Sequence, residues 1–177
     1  KVNSALNAYR MIECFHPDLV INSGVAGGAD ASMPVGSLLI ATEAAYHDVW
    51  CGPGTEWGQI DGMPRRFPMD AALLDSCRLL PGLEEARYGL ICSGDRFISK
   101  PEEVVFIKSV YPDALGCDME SASIAQACRD KGVPFAVVRV VSDTPGQADN
   151  ISQYKDFWTV APEKTFRAVK TIIDSMK

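Results

Sequence analysis

Histidine is scarce in this chain: His16 and His47 are the two among 177 residues, too few for a zinc site built on imidazole. No CxxC pair occurs either. The six cysteines, Cys14, Cys51, Cys77, Cys92, Cys117 and Cys128, stand in apolar surroundings and read as small reduced core residues, not a disulfide framework. Neither a metal nor a cofactor is therefore expected. No run of eighteen apolar residues exists, which excludes a membrane-spanning helix of ordinary length. No secretory h-region opens the chain, so the expected compartment is the cytoplasm. Basic residues form no cluster, and 17 Lys and Arg against 23 Asp and Glu leave a formal charge of -6. That balance argues against nucleic acid or an anionic membrane surface as partner. A neutral or cationic small molecule fits better.

What is present suits one globular domain over residues 1–177. Apolar residues make up 47% and charged residues 23%, and the length allows one substantial core. Lys1 leads directly into a helical pattern of Val2, Leu6, Tyr9, Met11 and Ile12, so a preceding segment is expected.

The pattern predicts a helix over 3–15 ended by His16-Pro17, then a short strand at Leu19-Val20-Ile21 running into a glycine turn. Val35 to Ala45 reads as a second strand. Residues 46–68 carry four glycines and little periodicity, which predicts a long loop. A helix over 71–80 and a strand over 87–92 follow. Ser99, Pro101 and Glu102 form an expected capping box opening a helix over 101–109. Then come a strand at 115–117, a helix over 120–130 stopped by Gly132, and a strand at 135–141 apolar on both faces. In the last helix Phe166, Val169, Ile172, Ile173 and Met176 share one stripe. Alternating strands and helices predict an α/β fold, a three-layer α/β/α sandwich whose central sheet is largely parallel or mixed.

In such folds ligands bind beyond the carboxyl ends of strands. Four strand ends carry polar or glycine residues: NSGVAGGAD (22–30), SGDRF (93–97), DMES (118–121) and RVVSD (139–143). The first lacks both GxGxxG spacing and a Walker lysine, and a tight turn needing positive φ explains its glycines equally well. Glu120 has two readings, as a partner of the helix dipole or as an acceptor of two hydroxyl hydrogen bonds beside the soft surface of Met119. Asp143 stands before Thr144-Pro145-Gly146, a turn and not a helix start. An aspartate with few solvent neighbours has a raised pKa and serves as a proton donor. Phe97 fits either a core or a stacking platform for a flat base.

Taken in order, KVNSAL, PDLVINSGVAGG, VGSLLIATEAAYHD, the GQIDGMP loop, GLICSGDRFI, CDMESASIAQAC, PFAVVRVVSD and the YKDF helix resemble the 5′-methylthioadenosine/S-adenosylhomocysteine nucleosidases of the purine nucleoside phosphorylase superfamily. The resemblance implies hydrolysis of an adenine N-glycosidic bond through a ribosyl oxocarbenium ion. It makes Asp143 the acid at purine N7, with Ser142 orienting it. Phe97 would stack on adenine, and Ile98 would offer its backbone to the base edge. Asp118 and Met119 would border the ribose and Glu120 would hold its hydroxyls, while Arg139 arranges the carboxylates. Val25, Ala26 and Gly27 would line the site, and Tyr154, shifted by one residue, would close over the nucleoside.

Departures accompany the match. The water-activating glutamate implied by the resemblance lies on an N-terminal strand that these 177 residues do not contain, so the site that these residues form is expected to be incomplete. Val25 stands where a hydroxyl residue is common. The loop Val49 to Asp61, which in the resembled family reaches a neighbour's site, carries WCGPG and has Asp61 where a proline is common; a homodimer is implied. Phosphorolytic relatives place an arginine and a serine around the segment Asn22-Ser23-Gly24-Val25, and neither stands at the corresponding points, so water is the expected nucleophile. Futalosine hydrolysis and a nucleoside-binding fragment without turnover are the alternatives.

Overall fold

A computed structural model describes residues 1–145, 147, 149–157 and 161–176, with the backbone alone at 155, 156, 161 and 162. Helix α1 (Val2–Phe15) buries Ala8 and Ile12, one turn apart, and ends at His16, whose φ of 46° places it in the left-handed region before Pro17. Strand β1 (Val20–Gly28) then runs straight through the segment expected to be a glycine turn. None of Gly24, Gly27 and Gly28 has a positive φ. These glycines answer a demand for space: a Cβ on Gly24 would lie 2.7 Å from an Arg139 guanidinium nitrogen, and one on Gly28 would lie 2.5 Å from the Met33 carbonyl oxygen.

Strand β2 (Leu38–Tyr46) starts three residues later than expected. The long loop after it ends in an unforeseen short strand, β3 (Arg66–Pro68), paired antiparallel with β2. Arg66 holds that strand in place through Glu43 at 2.9 Å and Asp113 at 2.7 Å. Asp70 caps α2 (Ala71–Leu79) by accepting from the Leu73 N–H at 2.9 Å. After β4 (Arg87–Ser93) comes α3 (Pro101–Val110). Its cap lies one residue beyond the expected box, because the Glu103 carboxylate, and not that of Glu102, accepts from the Ser99 and Lys100 N–H groups at 3.0 and 3.1 Å. Strand β5 (Ala114–Asp118), α4 (Ser121–Lys131), β6 (Phe135–Asp143), α5 (Asn150–Phe157) and α6 (Ala161–Asp174) complete the chain.

The sheet order is β3-β2-β4-β5-β1-β6, with β2 also paired to β6. Parallel pairs (β2–β4, β4–β5, β1–β6) are combined with antiparallel ones (β2–β3, β1–β5, β2–β6), so the sheet is mixed and bends back on itself. Strand β6 is buried along its whole length and serves both faces. Phe135, Val137 and Val141 pack with Ile12 of α1 and Ala122, Ala125 and Cys128 of α4. Ala136, Val138 and Val140 pack with Cys77 of α2 and Ala168 and Ile172 of α6. Helices on both faces give the α/β/α layering. Two expectations about burial change. Cys14 and Cys51 are exposed, while the other four cysteines are buried. The buried stripe of α6 runs through Ala168 and Ile172 with Val169 beside it, and leaves Phe166 66% exposed. Gly146, the third residue of the expected turn, lies outside the described residues.

Candidate active site

The four strand ends do meet at one cleft of about 510 Å³, counting its open mouth. Strand β1 supplies Val25, Ala26 and Gly27. The loop after β4 supplies Phe97 and Ile98, and the β5–α4 junction supplies Asp118, Met119 and Glu120. Strand β6 ends there in Ser142 and Asp143, and Tyr154 of α5 adds to the wall. Arg139, also named from the sequence, lies one layer behind. Arg96 and Cys117 line the cleft as well and were not foreseen.

A bulge helps to set this arrangement. Strand β1 pairs Ala26 with Val141 and Gly27 with Asp143, skipping Ser142. Ser142 Oγ lies 3.3 Å from the Ala26 carbonyl oxygen and 2.6 Å from Asp143 Oδ1. The other carboxylate oxygen, Oδ2, accepts from Asn150 Nδ2–H. Asp143 is only 2% exposed. Burial raises its pKa, and the two donors, which favour the ionised form, oppose that rise without cancelling it. This is the setting of a carboxyl group that can carry a proton and release it.

Asp118 borders the cleft, but its carboxylate is already saturated, which revises its expected role as a ligand of the substrate. Oδ1 accepts from Ser93 Oγ at 2.6 Å and from the Glu120 and Ser121 N–H groups at 3.3 and 3.2 Å. Oδ2 accepts from Arg139 Nε at 3.0 Å, from Arg139 Nη2 at 2.8 Å and from Ser121 Oγ. Burial alone would raise its pKa; the Arg139 charge and the hydroxyl donors prevail and lower it. Asp118 thus caps α4 and anchors Arg139.

That assignment takes the capping bonds of α4 away from Glu120. Glu120 occupies the cap position of α4, yet its side chain makes no capping bond. With Asp118 serving the free N–H groups, the Glu120 carboxylate is 48% exposed and turned toward the cleft, with Oε2 3.6 Å from Arg139 Nη2. Phe97, 43% exposed, meets Tyr154 edge to face with ring centroids 5.2 Å apart. An aromatic pair at an open cleft is a suitable platform for a flat heterocycle.

Sequence reasoning missed Asn150, Ser93 and Ser121, and the bond from Asn22 Nδ2 to Ser121 Oγ at 3.0 Å. Ser93, Ser121 and Asn22 stood inside the strand-end motifs but offered no signal of their partners. Asn150 lies seven residues beyond Asp143 and nothing local marks it. Among the described residues no group of three or more His, Cys, Asp or Glu could hold a metal ion.

Several known proteins resemble this chain over nearly its whole length. The chain is 36% identical to the 5′-methylthioadenosine/S-adenosylhomocysteine nucleosidase of Geobacillus thermodenitrificans, over 98% of this chain and 75% of that protein. The nucleosidase of Lysinibacillus sphaericus is 37% identical, over 99% and 78%. The Neisseria meningitidis nucleosidase structure in complex with methylthio-immucillin-A superposes with a TM-score of 0.93 at 35% identity, covering 99% of this chain and 77% of that one. The Colwellia psychrerythraea nucleosidase in complex with adenine gives 0.92 at 33%, covering 98% and 74%. The family model described as the phosphorylase superfamily matches residues 1–174, and the chain belongs to that superfamily.

Proposed function

We propose that this chain hydrolyses the N-glycosidic bond of 5′-methylthioadenosine and S-adenosylhomocysteine, releasing adenine and the 5′-thioribose. The observation that carries the reading is a single cleft holding two carboxylates in opposite settings: Asp143 buried with a raised pKa, Glu120 half-exposed beside a guanidinium. The relatives named above, and the adenine and nucleoside-analogue complexes of two of them, support the same substrate class.

In this reading the purine stacks on Phe97 and Tyr154, with the Ile98 backbone at its edge. Asp143 gives its proton to N7 as the bond from the base to C1′ breaks, and the electron pair leaves with adenine. Glu120 accepts hydrogen bonds from the ribose hydroxyls and faces the positive charge growing on the sugar, against which the Met119 side chain packs. A carboxylate about 4 Å from that cation contributes about 4 kcal/mol at an effective dielectric near 20, worth roughly three decades in rate. Arg139 holds Glu120 in place, and water adds at C1′ and loses a proton to solvent, from which Asp143 is reprotonated.

Electrostatics favours water over phosphate. The guanidinium that adjoins Gly24 is that of Arg139, and it already faces the two carboxylates Asp118 and Glu120. That cluster is net negative and would repel a phosphate dianion. Chromatography of reactions with methylthioadenosine, adenosylhomocysteine and futalosine tests this. Adenine is expected from the first two at a rate independent of phosphate; a phosphate-dependent rate yielding a sugar 1-phosphate would overturn the reading.

A homodimer belongs to the same proposal. Trp50, 53% exposed, stacks on Trp57 at 6.0 Å, and Trp57 meets Phe106 at 5.3 Å, forming an outward apolar patch. The hollow beside it shares Arg96 and Ile98 with the cleft. Light scattering would report the mass. A cytoplasmic location is also proposed, supported by buried free cysteines and by the lack, among the described residues, of a helix long and apolar enough to cross a membrane.

A further inference from the structure

Asn150, the first residue of α5, is 2% exposed, and its side chain turns away from its own helix onto Asp143. Its Nδ2 donates to Asp143 Oδ2, while Oδ1 of the same amide is buried with no hydrogen-bond partner among the described residues. This orientation suits an ionised Asp143, which accepts at both oxygens. A protonated Asp143 must donate, and the same amide turned over would present Oδ1 to receive that hydrogen. Turning over pairs the orphaned oxygen and requires no movement of the backbone.

Ser142 has the same two-way capacity on the other carboxylate oxygen. Its single hydroxyl hydrogen can point to Asp143 Oδ1 at 2.6 Å or to the Ala26 carbonyl oxygen at 3.3 Å. With the second choice, the Ser142 oxygen is free to accept from a protonated Asp143. Both polar neighbours of Asp143 can therefore exchange donation for acceptance.

We propose that Asn150 is a positioning residue for Asp143, a buried amide that partners the carboxyl group in both of its protonation states during turnover. The inference rests on Asp143 being the proton donor of the hydrolysis proposed above. Asn150 does not line the cleft, so it acts on the substrate only through Asp143.

Other charged or titratable groups surround the same space. Cys117 of β5 stays a thiol, since burial and the Asp143 charge both raise its pKa. Asp118 and Arg139 are locked to each other at 2.8 Å. Glu120, Arg96 and Tyr154 border the cleft. A residue-specific probe is needed to separate Asp143 from them.

The test follows the Asp143 side-chain carboxyl carbon by NMR across pH in the full 177-residue chain, its signal assigned by loss in Asp143→Asn. Asn150→Leu removes a donor to the ionised form, and the Asp143 midpoint is expected to rise by about one pH unit. Asn150→Asp keeps the shape, guards against a leucine variant that does not fold, and should make the two carboxyls share a proton, with the upper midpoint above that of the unaltered chain. In adenine release from methylthioadenosine, the alkaline limb of kcat/KM should move with the midpoint. At neutral pH the loss of alignment of the Asp143 carboxyl should lower kcat about tenfold despite its larger protonated fraction, while KM changes by less than about twofold. A midpoint unmoved in both variants overturns the proposal. A midpoint that moves while the chain releases no adenine upholds the role of Asn150 and strikes the proposed hydrolysis instead.

Discussion

Asp143 and Glu120 carry the same functional group and are given different work by their surroundings. Asp143 is buried, and burial raises its pKa. A carboxyl group raised in this way contributes stability below its unfolded pKa, near 3.9, and loses it as pH rises through the folded value. At neutral pH the protein therefore gives up stability to keep this acid. Asp143→Asn should lower kcat/KM by about 10²- to 10⁴-fold and raise the melting temperature at pH 7 by about 2–4 °C, with the gain vanishing below about pH 4. Calorimetry at two pH values and adenine release check the two halves. Glu120→Gln keeps the hydrogen-bonding shape but removes the charge facing the sugar, so kcat should drop by about three decades with little change in melting temperature, read from single-turnover kinetics.

At the scale of elements, the junction of β5 and α4 does two tasks with one residue. Asp118 ends the strand, caps the helix and binds Arg139, which frees Glu120 to face the cleft. Its lowered pKa means that its stabilisation is present above about pH 3.9 and is lost as pH falls through the folded value. Asp118→Asn leaves the buried Arg139 with only the half-exposed Glu120 carboxylate, at 3.6 Å, as counter-ion and should cost about 3 kcal/mol at pH 7. The gap between variant and unaltered protein should close as pH falls below about 4, a trend that urea titrations at several pH values would reveal. The acidic character of this junction was legible in DMES, but the division of labour was not. Adjacent acids look alike in a sequence, and which one binds Arg139 at 2.8 Å depends on β5 and β6 flanking β1 in the sheet. The glycines of β1 teach the same lesson. Their spacing suggested a turn, whereas they mark where an arginine and a carbonyl press against an extended strand.

On the scale of the whole molecule, the β2–β6 pairing makes the sheet bend back on itself, and β6 joins two core clusters on opposite faces. The strand that ends in Asp143 is thus shared by two of the three core clusters, the third being built around β4, β5 and α3. Neither core can open without exposing it. A single cooperative unfolding transition is expected, with far- and near-UV circular dichroism following one curve. Two separate transitions would show that the faces melt independently.

The order of apolar runs, the alternation of strand and helix and the polar residues at four strand ends are local properties, written in residue type and spacing. They were enough to predict an α/β fold with helices on both faces of a largely parallel or mixed sheet, and to single out the four strand ends that line one cleft. Tertiary structure alone decided that Asp118 is consumed by Arg139, that Glu120 is left available, that β1 stays extended and that Asn150 reaches Asp143. Each of these depends on atoms far apart in the chain or separated by a loop of no regular pattern. Hydrogen-bond partners and burial are set by where strands lie in space, and no periodicity along one segment encodes the segment that will face it.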